Sequence, residues 1–106
     1  MRKLGIAVIV IALLGFTTSA FADGGADLYK AKCVSCHAAD GSGSTPMGKK
    51  FGLKDLKAPE VAKQTDSQLI EITTKGKDKM PAYAGKLTDA QIKEVVGFIR
   101  EMQKKK

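Results

Sequence analysis

The chain has 106 residues, with 18 lysines and arginines against 11 acidic residues and a formal net charge of +7. That length allows one domain with a small core, and two cysteines with a single histidine fall short of the four N or S ligands of a structural zinc site. The basic balance suggests nucleic acid, but the chain shows no nucleic-acid motif and opens on an export signal, so no nucleic-acid partner is expected.

Residues 1–22 read as a secretory signal peptide. Arg2 and Lys3 form a positive n-region, residues 4–16 are an apolar run too short to span a bilayer comfortably, and Ala20-Phe21-Ala22 is a small-x-small cleavage site. Cleavage after Ala22 would deliver residues 23–106, one domain of 84 residues, to the periplasm if the host is bacterial. The alternative is an uncleaved anchor. No cysteine stands at the cleavage point, so neither a lipoprotein nor a stable membrane anchor is expected. A core of that size is marginal unless something staples it.

Residues 24–36 predict the first helix. Gly25, Tyr29 and Cys33 recur every four residues and share one face. Gly25 would let a second helix approach closely, and Tyr29 would fill the crossing. The helix runs into Cys33-Val34-Ser35-Cys36-His37, a C-x-x-C-H motif, the attachment signature of c-type haem. Two thiols three residues apart on a helical turn can each form a thioether to one haem vinyl group, and the adjacent His37 then lies under the iron. These are the only two cysteines and the only histidine of the chain. A thioredoxin-like redox pair would want a βαβ setting, and no strand pattern surrounds the motif. A haem-free domain closed by one disulfide is the remaining alternative. A covalently held porphyrin would also supply the large apolar plate that so short a chain lacks.

Residues 40–52 are turn-rich, Gly41-Ser42-Gly43-Ser44 followed by Pro46. They are expected to form an ordered loop across the proximal side of the haem. Residues 65–75 predict a helix: Thr65 and Gln68 have capping-box spacing, Leu69, Ile70 and Ile72 supply an apolar face, and Gly76 can stop it. The polar loop Lys77-Asp78-Lys79-Met80-Pro81-Ala82-Tyr83 follows. Residues 88–102 predict the last helix, with Thr88 and Gln91 at capping-box spacing and a stripe of Ile92, Val95, Val96, Phe98, Ile99 and Met102. Gly97 inside it costs about 1 kcal/mol against Ala, so a close contact there is the expected compensation.

A closed haem needs a sixth ligand, and with no second histidine the choice falls to methionine or lysine. Thioether ligation raises the reduction potential relative to a second imidazole. Met1 leaves with the signal peptide, Met102 belongs to the last helix, and Met47 lies in the segment expected on the proximal side. Met80 lies on a loop far enough along the chain to pass round the haem edge, and Pro81 restricts its backbone. Met80 is therefore the candidate distal ligand, and a buried gap-filler is its bland alternative.

Taken together, Gly25, Tyr29, Cys33, Cys36 and His37, Met80-Pro81, and Val95 with Phe98 make the chain resemble a small class I bacterial cytochrome c over nearly its whole mature length. The resemblance implies an all-α fold of three to four short helices round one covalent haem c, with Val95 and Phe98 packing on Gly25 and Tyr29. It implies electron transfer as the activity, not enzymatic turnover. Pro46 resembles the family proline whose carbonyl accepts the Nδ1 proton of the proximal histidine, although the usual Gly-Pro pair is Thr45-Pro46 here. The family tryptophan near the propionates has no counterpart, which leaves Tyr83 and nearby lysines as candidate propionate partners. The expectation is a soluble, monomeric periplasmic shuttle with His37 and Met80 as axial ligands and redox partner proteins that present acidic docking surfaces. The alternative is a haem enzyme or gas sensor with a displaceable distal ligand.

Overall fold

The computed structural model describes residues 20–105; the expected signal peptide lies outside the described residues as far as Ser19. Six helical segments and no β-strand occur among the described residues: α1 (Ala20–Lys32), α2 (Val34–His37), α3 (Pro46–Phe51), α4 (Pro59–Ala62), α5 (Asp66–Lys75) and α6 (Asp89–Lys104). The three longer ones, α1, α5 and α6, overlap the expected helices, but the first, expected over 24–36, begins at Ala20 and stops at Lys32. The other three are single turns or little more.

Both expected capping boxes form. Gln68 N–H donates to Thr65 Oγ1 at 3.1 Å while Thr65 N–H donates to Gln68 Oε1 at 2.8 Å, and Thr88 and Gln91 repeat the pair at the head of α6. Each box satisfies two amide donors that a helix start otherwise leaves open.

Two departures from the sequence reading have local causes. The segment 40–52 is not loop throughout: Thr45 caps α3 by accepting the Gly48 amide at 2.8 Å, Pro46 occupies the first helical position, and Gly52 closes the helix at φ +63°. Proline suits that first position because its missing N–H would have no intrahelical partner anyway. Pro59 starts α4 in the same way. Gly97 makes no close contact, since a Cβ built there would meet nothing within 4 Å. The expected compensation at Gly97 is therefore absent, and the close backbone approach of α1 to α6 is at Gly25.

α1 and α6 share the largest interhelical interface. A Cβ on Gly25 would stand 2.1 Å from the Glu94 carbonyl oxygen and 3.0 Å from Phe98 Cβ, so the two backbones nearly touch. One turn on, the Tyr29 ring meets Phe98 at 5.3 Å between centroids and 47°, a tilted arrangement favoured by the ring quadrupoles. Tyr29, Leu87, Ile92, Val95 and Ile99 form one buried cluster. Val61, Leu69 and Val96 form a second, which docks α4 and α5 onto the other side of α6.

Arg100 reinforces that second junction. Its Nε donates to Asp66 Oδ1 at 2.8 Å, and its terminal nitrogens donate to the carbonyls of Ala62 and Gln64 and to Gln103 Oε1. One side chain on α6 thus satisfies carbonyls that α4 and the linker leave open. Replacing it by an apolar chain of similar length leaves those acceptors without a donor. Arg100→Met is expected to cost about 2 kcal/mol, a fall on the order of 10 °C in the melting temperature of a domain this size, measured by circular dichroism.

Candidate haem site

α1 ends at Lys32 because the backbone changes partner at Cys33. The Cys33 carbonyl accepts both the Cys36 amide at 3.3 Å and the His37 amide at 2.9 Å. The Cys36 amide, which would continue α1 by bonding Lys32, is thereby diverted. The turn of α2, capped by Cys33, then carries Cys36 and His37 and stops at Ala38, whose φ of +67° redirects the chain.

The carbonyls of Cys36, His37 and Ala38 are all engaged. Thr45 Oγ1 donates to Cys36 O at 2.8 Å, the Gly43 amide donates to His37 O at 2.8 Å, and Tyr29 Oη donates to Ala38 O at 2.6 Å. Gly48 allows α3 to seat against them: a Cβ there would lie 2.1 Å from Gly43 O and 2.5 Å from Cys36 O. Thr45 thus serves the helix cap and the cysteine turn at once. Sequence reasoning missed this, although a threonine before a proline is a recognisable helix-start signal.

Cys33 and Cys36 are half-buried and carry no disulfide. Burial, and then the neighbouring Cys36, push the Cys33 thiol up to about 11. A redox-active C-x-x-C pair needs the opposite shift, so the environment argues against thiol–disulfide exchange. Burial lowers the pKa of His37 below its usual value, which keeps the imidazole neutral with a lone pair free for a metal. Its Nδ1 is buried without any hydrogen-bond partner. The bond expected from Nδ1 to the Pro46 carbonyl is therefore not made; Pro46 instead occupies the first position of α3.

Met80 arrives from the opposite side. Gly76 at φ +78° ends α5, and a Cβ there would stand 2.7 Å from Met80 O. Only glycine lets the loop double back so closely. Lys77 and Met80 exchange backbone bonds of 3.1 and 2.8 Å across a tight turn, with Asp78 at φ +54°. The amides of Tyr83 and Ala84 then return to the carbonyls of Thr73 and Thr74 at 3.0 and 3.1 Å. Tyr83 Oη donates to Lys32 O at 2.9 Å. That bond occupies the hydroxyl's single proton, so Tyr83 has no donor left over for a propionate in this arrangement.

Cys33, Cys36 and His37 together with Met80, Pro81 and Tyr83 line a cleft of about 150 Å³, with Phe51 and Leu53 also in its wall. Two adjoining hollows also contain both His37 and Met80. One reaches inward to Tyr29, Leu69, Ile72 and Val95, and the other outward to Lys54, Lys77 and Lys79. Met47 lies on α3 with 44% of its surface exposed and lines none of these hollows. Met102 packs against the α1–α6 cluster. Among the described residues no group of three or more His, Cys, Asp or Glu is placed to hold a bare metal ion. Two unbridged thiols, a neutral buried imidazole with an unpartnered nitrogen and a largely apolar wall fit a haem instead.

A helical fold closed round such a cleft defines a haem-binding protein of the c type. Comparison with known proteins agrees. The family described as "Cytochrome C oxidase, cbb3-type, subunit III" matches residues 20–99. The cytochrome c6 of Thermosynechococcus vestitus is 32% identical over 108 residues, covering 98% of this chain and 94% of its own. That of Picosynechococcus is 34% identical over 110 residues, covering 95% and 94%. A solved structure of the c-type cytochrome KustC0563 superposes with a TM-score of 0.69 at 30% identity, over 74% of this chain and 96% of that one. The chain belongs to the class I cytochrome c family: it carries one covalently attached haem c and is an electron carrier, not an enzyme. No described helix is long and apolar enough to cross a membrane.

Proposed function

We propose that the chain is a soluble, monomeric periplasmic shuttle for single electrons, exported by residues 1–22 and cleaved after Ala22. In this reading Cys33 and Cys36 hold the haem through thioethers, and His37 and Met80 are its axial ligands. The observation that carries it is that His37 and Met80, 43 positions apart in the sequence, line the same cleft as both cysteines. When bound, the haem supplies the ferrous–ferric couple. The chain's own residues keep the imidazole neutral, exclude water with apolar side chains, and offer a thioether that raises the potential relative to a second histidine.

The charge at the cleft mouth supports an acidic redox partner. Lys32, Lys54, Lys77 and Lys79 line the outer hollows, against Asp78 as the one acidic residue there. A basic rim of this kind steers an acidic surface toward the haem edge in a salt-dependent way.

The test is a pair of methionine variants read by absorption and potentiometry. Met80→Ala is expected to lose the weak red charge-transfer band of ferric iron–thioether ligation, to lower the potential and to admit exogenous ligands. A pyridine haemochrome assay should still find both thioethers. Met47→Ala should behave as wild type. A band that survives in Met80→Ala and vanishes in Met47→Ala would overturn the assignment.

A further inference from the structure

The bond from Tyr83 to Lys32 joins segments 51 residues apart, and each end of it has a reason to be there. The Lys32 carbonyl is open because the Cys36 amide has turned to Cys33; a helix-end carbonyl in that position needs another donor. Tyr83 can supply one because its backbone is already fixed to α5 through Thr73. Its ring lines the cleft, and Lys86 Nζ lies 5.7 Å from the ring centroid. The Met80 loop is therefore held at three places: the exchange with Lys77, the return to Thr73 and Thr74, and the phenol that reaches across the cleft to the residue before Cys33.

The first two ties bind the loop only to itself and to α5. Among the hydrogen bonds of the described residues, the third alone connects it to the segment that bears the cysteines. An outward swing that carries Tyr83 along with Met80 takes the Tyr83 ring from the cleft wall and removes the donor from Lys32 O.

We propose that Tyr83 is a positioning residue, which latches the Met80 loop to the end of α1 and so sets how firmly the thioether stays on the ferric iron. This rests on the reading of Met80 as distal ligand. Removing only the hydroxyl should shift the loop toward its open form by the net worth of one hydrogen bond. An exogenous ligand that binds only the open form gains apparent affinity in proportion.

The experiment titrates ferric holoprotein with imidazole, for wild type, Tyr83→Phe, Arg100→Met and Met80→Ala, with melting temperatures measured in parallel. Tyr83→Phe should bind imidazole about fivefold more tightly than wild type. Arg100→Met, at a residue that lines none of the hollows holding His37 and Met80, should melt lower yet bind imidazole as wild type does, which separates latch release from general loss of stability. Wild-type affinity in Tyr83→Phe, or an equal gain in Arg100→Met, overturns the latch. If Met80→Ala keeps the thioether band, the ligation reading itself fails; if it loses the band while Tyr83→Phe stays at wild-type affinity, only the latch fails.

Discussion

A variant carrying both Cys33→Ala and Cys36→Ala is expected to leave almost no haem-bearing protein in a periplasmic extract. The two thiols are the only cysteines of the chain, and they line the cleft unbridged. Without them no covalent attachment is possible, whatever affinity His37 and the apolar wall retain. The loss extends to the fold. Among the described residues eight buried apolar side chains in two clusters make up the core, and the cleft that holds the cysteines lies beside them rather than being filled by protein. A domain of this size stands close to the limit of independent stability, so removing the covalent plate should leave a loosely packed, protease-sensitive apoprotein. Haemochrome content per unit of immunodetected protein checks the first effect, and total yield checks the second. A double variant with normal covalent haem would remove the basis for assigning the thioethers to these residues.

Gly25→Leu is expected to have the next largest effect, this time on stability. The nearest neighbours of a Cβ at Gly25 are backbone atoms, the carbonyl oxygen of Glu94 at 2.1 Å and its carbon at 2.8 Å. No side-chain rotation relieves that contact; the helices themselves must separate. Separation would loosen Tyr29 from Phe98 and Val95, in the largest interface of the molecule. Overpacking a well-filled site costs about 1–3 kcal/mol, occasionally more, and a backbone clash belongs at the upper end. The melting temperature of the holoprotein should fall by roughly 12–24 °C. A variant that melts with wild type would mean that the two helices do not cross at Gly25.

What the sequence determined by itself is what depends on near neighbours along the chain. The caps at Thr65 and Thr88 are legible because a capping box is completed within three residues. The C-x-x-C-H turn is legible because thioether chemistry sets its spacing, and the stripe from Ile92 to Met102 because the helical period sets it. The start of α3 was just as local and was overlooked: Thr45 and Pro46 carry the signal, but four glycines and serines before them read as loop.

The remainder was decided by tertiary structure, since it depends on atoms brought together from distant positions. Gly25 and Gly97 are alike in sequence, each a glycine on a helix face; only the packing shows one pressed against a backbone and the other beside open space. Distance along the chain favours Met80 over Met47 as sulfur donor, but only the fold exposes Met47 and lines the cleft with Met80. The break at Cys33 follows from a choice of amide partners, which leaves Lys32 O open, and its donor is supplied by Tyr83 from 51 residues away. The bond expected from His37 to Pro46 was likewise for the tertiary structure to decide: Pro46 heads α3, and Nδ1 is left buried without a partner.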